Sequence, residues 1–400
     1  MRGDQFRDEF DLDPGLIYLN SGSHSICPRL VIAAVEKYQR EAEKNPTTGL
    51  FLAWERLWAV QKKIAEFFKA DAQNLFLRAN VTTVLNTFIM GIPLDGPGEI
   101  LVTDLEYGAI VNACRYRAEQ DGLSLRTFVL PTSREIYSTL SEDSLVQQIV
   151  LNFRPNTKML LISHVMTANG LVIPIAKLAK ETRQRGIILI VDGAHGPGAL
   201  PLDFSRLSDV DYYAGNFHKW FMGPKGTGFG WVPGRHQKAL KILEPGWTTY
   251  DVPSVYQTFG SGSVFQTRFM ISASHNFAPF YALNETLEFW KRHGAETIFA
   301  RLGELSEFTS READRILGWK SLSPPPGPLL GPLISWESPD IFSDLKYNWM
   351  LRLLREYGLQ VATPPVRGKN ALRISPHIYN TEEEITRGLE ILRSEVQKFK

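Results

Sequence analysis

Cysteine is nearly absent from this chain. Its 400 residues contain only Cys27 and Cys114. Two thiols cannot build a disulfide framework, so a reducing cytoplasm is the expected setting. Charge of one sign is lacking too. The 44 lysines and arginines against 43 aspartates and glutamates leave a net charge of +1, which gives no electrostatic reason to expect a nucleic-acid or membrane partner. No apolar run approaches the ~18 residues of a membrane span. Met1–Phe10 mixes both charges and has no apolar stretch of the kind a secretory signal carries. The eight histidines show no HExxH spacing, and there is no CxxC, so no metal site is expected.

What is present is an ordinary globular composition, 44% apolar and 22% charged, in a chain long enough for about two or three domains. Helix-period segments alternate with short apolar runs from about residue 30 to 235. Leu30–Arg40 and Trp54–Lys69 read as amphipathic helices, with Leu57, Val60, Ile64 and Phe67 on one face of the second. Strands are expected at Asn74–Arg78, Glu99–Thr103, Leu125–Leu130, Met159–Val165 and Ile187–Val191, and helices at Val81–Met90, Ala109–Gln120 and Ile175–Arg185. The unbroken apolar runs at 159–165 and 187–191 mark strands buried on both faces. The fold class is therefore α/β, built on a mainly parallel sheet. After about residue 275 the pattern changes. Helices are expected at Ala278–Arg292 and Ala300–Leu317, a proline-rich connection at Ser323–Pro332 and a strand at Leu333–Trp336. Thr381 and Glu384 form a capping box for a last helix with Ile385, Leu389, Leu392, Val396 and Phe399 on one stripe. The expected division is a large α/β domain at 21–274 and a smaller α+β domain from 1–20 and 275–400.

In an open α/β sheet the ligand lies beyond the carboxyl ends of the strands. Asp192 ends the run Ile187–Val191. Lys219 sits in Asn216-Phe217-His218-Lys219-Trp220, just before Gly223-Pro224-Lys225-Gly226-Thr227-Gly228. This pair suits pyridoxal 5′-phosphate (PLP): the amine can form a Schiff base, and the carboxylate can pair with the protonated pyridine nitrogen. The competing lysine, Lys225, lies in a tight turn and is expected to face solvent or a phosphate. Asn80-Val81-Thr82-Thr83 opens a helix whose amides and threonine hydroxyl suit a phosphate, or simply cap the helix. Tyr107 offers an aromatic face for stacking. His164 ends a buried strand, either as a partner of the ring 3-oxygen or as a core histidine. His195 could reach the same oxygen or orient Asp192. Arg373 could grip a carboxylate at two points or serve a structural ion pair.

These motifs, with Tyr18-Leu19-Asn20-Ser21-Gly22-Ser23 and Arg373-Ile374-Ser375 before Tyr379-Asn380, resemble the class V aminotransferase-fold PLP enzymes, most closely the isopenicillin N epimerase-like branch. The resemblance covers nearly the whole chain. It implies the aspartate aminotransferase-like fold type I, with Lys219 as the Schiff-base lysine and Asp192 as the partner of the ring nitrogen. Tyr107 would stack, and His164 and His195 would lie near the 3-oxygen. Val81, Thr82, Asn216 and His218 would serve the phosphate, and Arg373 and Asn20 the substrate. Thr267, in Gln266-Thr267-Arg268, would complete a neighbouring subunit's phosphate site, so a homodimer is implied. The implied activity is chemistry at the α-carbon of an amino acid, with epimerisation or β-elimination as outcome and transamination as the alternative. A catalytically idle binding protein would be marked by loss of the lysine or the acid, and both are present. A cysteine desulfurase of this fold needs a cysteine on the loop before the arginine, and Gln360–Ala371 has none.

Overall fold

The computed structural model describes residues 4–246, 249, 264–270, 275–344 and 348–399. In chain order its strands are β1 (Ile17–Tyr18), β2 (Leu75–Arg78), β3 (Glu99–Thr103), β4 (Ser124–Phe128), β5 (Thr157–Ser163), β6 (Ile188–Gly193), β7 (Tyr212–Asn216), β8 (Gly228–Trp231), β9 (Ile334–Glu337), β10 (Leu359–Gln360), β11 (Pro365–Val366) and β12 (Lys369–Ile374). Seven of them form one sheet in the order β2-β8-β7-β6-β5-β3-β4. β3 to β7 run parallel, and β8 is antiparallel to both of its neighbours.

The two apolar runs explain why this sheet is covered on both sides. Along β5, Leu160 and Ile162 pack with Leu57, Ile64 and Leu178, whereas Met159 and Leu161 pack with Leu85, Phe88 and Ile110. Successive side chains alternate between faces, so each strand feeds two helix layers. Helices Ala53–Phe67 and Ile175–Gln184 cover one face, and Val81–Gly91 and Gly108–Asp121 the other.

A second sheet, β11-β12-β9, is antiparallel. Arg367 and Gly368 make the two-residue turn between β11 and β12, both with positive φ (50° and 80°) as a tight hairpin requires. Helices Ala295–Ile316 and Glu382–Gln397 contribute Leu305, Ala313, Ile385, Leu389 and Leu392 to the core that covers this sheet. The amino-terminal β1 pairs in parallel with β10, and Asn20 bridges to Ser375.

Several boundaries differ from expectation. The segment 278–292 is two helices, Ala278–Tyr281 and Leu283–His293, with Pro279 in the first turn of the first. β4 stops at Phe128 because Val129 is 70% exposed and the Leu130 amide turns to the Asp104 carboxylate. The Thr381–Glu384 capping box forms in both directions, but the helix ends at Gln397, so Phe399 lies beyond the buried stripe.

Candidate active site

The strand order reverses between β3 and β5. β4 continues outward on one side of β3, whereas β5, β6 and β7 build out on the other. Loops leaving the carboxyl ends of β3 and β5 therefore diverge and leave a crevice. A cavity of about 860 Å³ fills it, lined by strand-end residues of the large sheet, by Ala362–Pro365 leading into the smaller sheet, and by Arg373 within that sheet.

Asp192 lies in β6 on the face that also carries Ile190, and it reaches the cavity at the end of that row. It is buried, and its Oδ1 accepts the Ala194 amide at 2.8 Å. Burial pushes its carboxyl upward, while the Ala194 amide and the Lys219 charge pull it back. Among the described residues no lysine, arginine or histidine nitrogen makes an ion pair with it. Gly193 follows because a Cβ there would come within 2.2 Å of the Tyr213 ring.

Lys219 projects from the turn after β7. Trp220, Phe221 and Met222 are fully buried and anchor that turn. Burial pushes the ammonium down to about 8; Asp192 pulls it up and Arg373 presses it further down. Its Nζ lies 3.4 Å from His195 Nε2. The Trp220 indole N–H donates to His195 Nδ1 at 3.1 Å. An indole can only donate, so Nδ1 accepts and the proton of the neutral ring sits on Nε2. Burial holds His195 well below its ordinary value, so the ring is neutral. Its Nε2–H meets a lysine that can accept only when uncharged, which also favours the free amine.

Arg373 comes from β12 and is 4% exposed. One terminal nitrogen donates to the Thr167 carbonyl (3.0 Å) and hydroxyl (2.9 Å), the other to Asn20 Oδ1 (3.2 Å) and Ser23 Oγ (3.1 Å). All four acceptors are neutral, Nε has no hydrogen-bond partner among the described residues, and burial pushes the guanidinium down to about 10. The structural ion pair that the sequence left open is not made by any described residue.

Another part of the cavity wall suits an anion. Helix Val81–Gly91 is capped by Asn80, whose side chain accepts the Thr83 amide at 2.9 Å. The Val81 amide donates to Asn216 Oδ1 at 2.9 Å, so Val81 and Asn216 satisfy each other there. Among the described residues the Thr82 amide and hydroxyl have no partner, and both lie at a helix N-terminus that faces the cavity. His218 Nδ1 donates to the Thr227 carbonyl at 3.3 Å and its ring stacks on His24 at 5.3 Å. Burial and then Lys219 push His218 down to about 4. The neutral ring thus offers a lone pair at Nε2, and it becomes a donor only by taking a proton.

Residues 17–387 match the sequence profile described as Aminotransferase class-V. The chain belongs to the class V aminotransferase family. That family is PLP-dependent, and the chain is one of its enzymes. It is 32% identical over 396 residues to isopenicillin N epimerase of Streptomyces clavuligerus, covering 96% of each chain. It is 30% identical over 401 residues to isopenicillin N epimerase of Amycolatopsis lactamdurans, covering 97% of each. A probable cysteine desulfurase of Xylella fastidiosa (strain 9a5c) is 27% identical over 315 residues, 76% of this chain and 72% of that protein. Among solved structures, a C-DES variant with glycine covalently linked to its PLP cofactor superposes with a TM-score of 0.84 at 24% identity, covering 97% of this chain and 98% of that one. The fold is fold type I.

In this class V enzyme the cavity brings together Val81, Thr82, Tyr107, Asp192, His195, Asn216, His218, Lys219 and Arg373. Three expected residues do not line it. His164 lies one residue past Ser163 and therefore on the other face, where its Nδ1 pairs with the Tyr213 hydroxyl at 3.0 Å as a core histidine. Asn20 stands behind the guanidinium it orients. Thr267, in helix Val264–Met270, is buried within the chain. Lys225 is exposed, the first of the two settings expected for it, and its ammonium also ties back to the Ser25 carbonyl at 2.7 Å. Sequence reasoning missed Glu106, Ser163 and Thr167, which do line the cavity.

Proposed function

We propose that this enzyme acts at the α-carbon of an amino acid, with Lys219, Asp192 and Arg373 as its working groups and epimerisation as the outcome. One observation carries this reading. Two buried, opposite charges, Asp192 and Arg373, face one cavity with Lys219, and neither has a counter-ion among the described residues. A buried charge without a partner is costly, so each is suited to a ligand group of opposite sign.

When bound, PLP supplies an electron sink for a bond broken at the substrate α-carbon. Asp192 would hold the proton on its pyridine nitrogen, and the free amide and hydroxyl of Thr82 would take its phosphate. The phosphate charge would favour the protonated His218 that alone can donate. Tyr107 stands at the cavity mouth for stacking. Lys219 anchors the cofactor and then moves the α-proton. Arg373, held by Thr167, Asn20 and Ser23, grips the substrate carboxylate and fixes which α-bond faces the lysine.

The likeness to two isopenicillin N epimerases favours epimerisation over β-elimination and transamination, which the same residues would also permit. Against sulfur transfer, both cysteines are buried and neither lines the cavity. The reading takes the active form as a homodimer in the cytoplasm. It takes residues 21–274 as the cofactor-holding domain, with 1–20 and 275–400 as the smaller one that delivers Arg373. Single enantiomers from a panel of amino acids, incubated in D₂O, test it. Deuterium at the α-carbon with both configurations in the product is the expected result. Loss of sulfide, or ketoacid in its place, would reassign the outcome; no exchange with any amino acid would remove the α-carbon reading.

A further inference from the structure

Glu106 has no part in the scheme above, yet it lines the same cavity. It follows β3, and β5 and β3 supply its hydrogen bonds. The Ser163 amide donates to both carboxylate oxygens (3.2 and 3.1 Å), the Ser163 hydroxyl to Oε2 (2.5 Å) and the Thr103 hydroxyl to Oε1 (2.9 Å). Ser163 is the register partner of Asp192 in the neighbouring strand. Paired residues of adjacent strands project from the same face. One serine therefore stands between two carboxylates, and neither carboxylate makes an ion pair with a described residue.

A serine hydroxyl holds one proton and two lone pairs. While Glu106 is charged, that proton points at Glu106. Once Glu106 takes a proton of its own, it can donate to Ser163 Oγ, and the serine proton is free to turn toward the Asp192 side. The two states differ by one proton and by the direction of one hydroxyl.

We propose that Glu106 and Ser163 form a reversible proton relay beside Asp192, which releases a proton when a cationic ring binds Asp192 and takes it back when the ring leaves. The proposal rests on Asp192 as the partner of the ring nitrogen, and it makes Glu106 a positioning residue that acts through Asp192. Burial, with Asp192 adding to it, pushes Glu106 up to about 7 against the Ser163 and Thr103 donors. Among the described residues Cys114, on helix Gly108–Asp121, is a further titratable group coupled to it. Burial first and Glu106 second push that thiol up to about 12, so it stays neutral. Lys219 acts on Asp192. A positive ring offsets the Asp192 charge, removes that repulsion and lowers Glu106, so binding near neutral pH releases protons.

Calorimetry of the full-length apoprotein in buffers of different ionisation enthalpy counts those protons. Pyridoxamine 5′-phosphate is the probe, because without an aldehyde it cannot condense with Lys219. We expect proton release in the wild type and its loss in Glu106→Gln. Ser163→Ala keeps both carboxylates but removes a donor to Glu106, so its release should move to higher pH. Infrared difference spectra of the wild type should show a protonated carboxylic acid that the probe removes, and Glu106→Gln should lack that band. Equal proton release in wild type and Glu106→Gln, or no such band in the wild type, overturns the relay. Undiminished probe binding by Asp192→Asn overturns instead the reading of Asp192 on which it rests.

Discussion

At Lys219, burial competes with charge, and burial wins. The ammonium falls from 10.5 to about 8, so at pH 7 about a tenth of it is uncharged, against roughly three parts in ten thousand for an ordinary lysine. On the proposed reading the uncharged amine is the nucleophile, and it accumulates as pH rises. Capture of PLP by the apoprotein should therefore accelerate through pH about 8 and level off above it, as followed by stopped-flow absorbance. A rate still climbing at high pH would contradict a depressed lysine, and reductive trapping that labels Lys225 would move the assignment. Asp192→Asn removes the buried negative charge that the reading places opposite the ring nitrogen. α-Proton exchange should fall on the order of 10²-fold or more, the scale of a lost electrostatic contact at a transition state. Exchange near the wild-type rate would dismiss that role. Arg373→Lys keeps a charge but loses the fork held by Thr167, Asn20 and Ser23. KM for the amino acid should rise and exchange should fall together; an unchanged KM would place the carboxylate elsewhere. Arg367 is not the substitute, because it is tied to Asp104 at 2.7 Å and to the Leu130 carbonyl.

Parity along a strand decides what its end offers to the cavity, and parity needs the strand ends to be known. The runs 159–165 and 187–191 announced buried strands, and Asp192 and Lys219 stood out because an acid and a lysine in apolar company need a reason. The switch between β3 and β5 was not visible, since strand order is a property of the whole sheet. For that reason Ser163 was passed over and His164 taken in its place: expected to end near Val165, β5 ends at Ser163, and the histidine falls on the far face. Glu106 and Thr167 escaped notice because their partners lie 57 and 206 residues away, while glutamate and threonine are ordinary surface residues in a sequence. For Lys225 the sequence left solvent and a phosphate open, because its bond to Ser25 crosses 200 positions. The same packing makes a prediction for β6. Gly193→Ala would set a methyl 2.2 Å from the Tyr213 ring, displacing the tyrosine and with it the partner of His164. Overpacking of this kind costs about 1–3 kcal/mol. Denaturant unfolding should show that loss, and cofactor affinity should drop with it; wild-type stability would mean that the ring has room to move.

At the scale of the molecule, the proposed dimer is open to direct measurement. Light scattering of the PLP-loaded protein should give at least twice the 45.2 kDa chain mass, and a fully active monomer would exclude a site shared between subunits. Thr267 is 4% exposed within its own chain, so Thr267→Ala separates two cases: lost cofactor affinity in the dimer if it serves a neighbour, lost stability alone if it is core. Two ends of the chain meet at the site. Ile17 and Tyr18 pair with Leu359 and Gln360, Asn20 bridges Ser375, and Arg373 projects from between these contacts. During synthesis, then, residues 17–20 wait without a strand partner until 359–375 have left the ribosome. A message cut short before that point still encodes all seven strands of the large sheet and the lysine, but not Arg373, to which the proposed reading assigns the substrate carboxylate. On that reading the nascent chain cannot select an amino acid until Arg373 has emerged and β12 has paired.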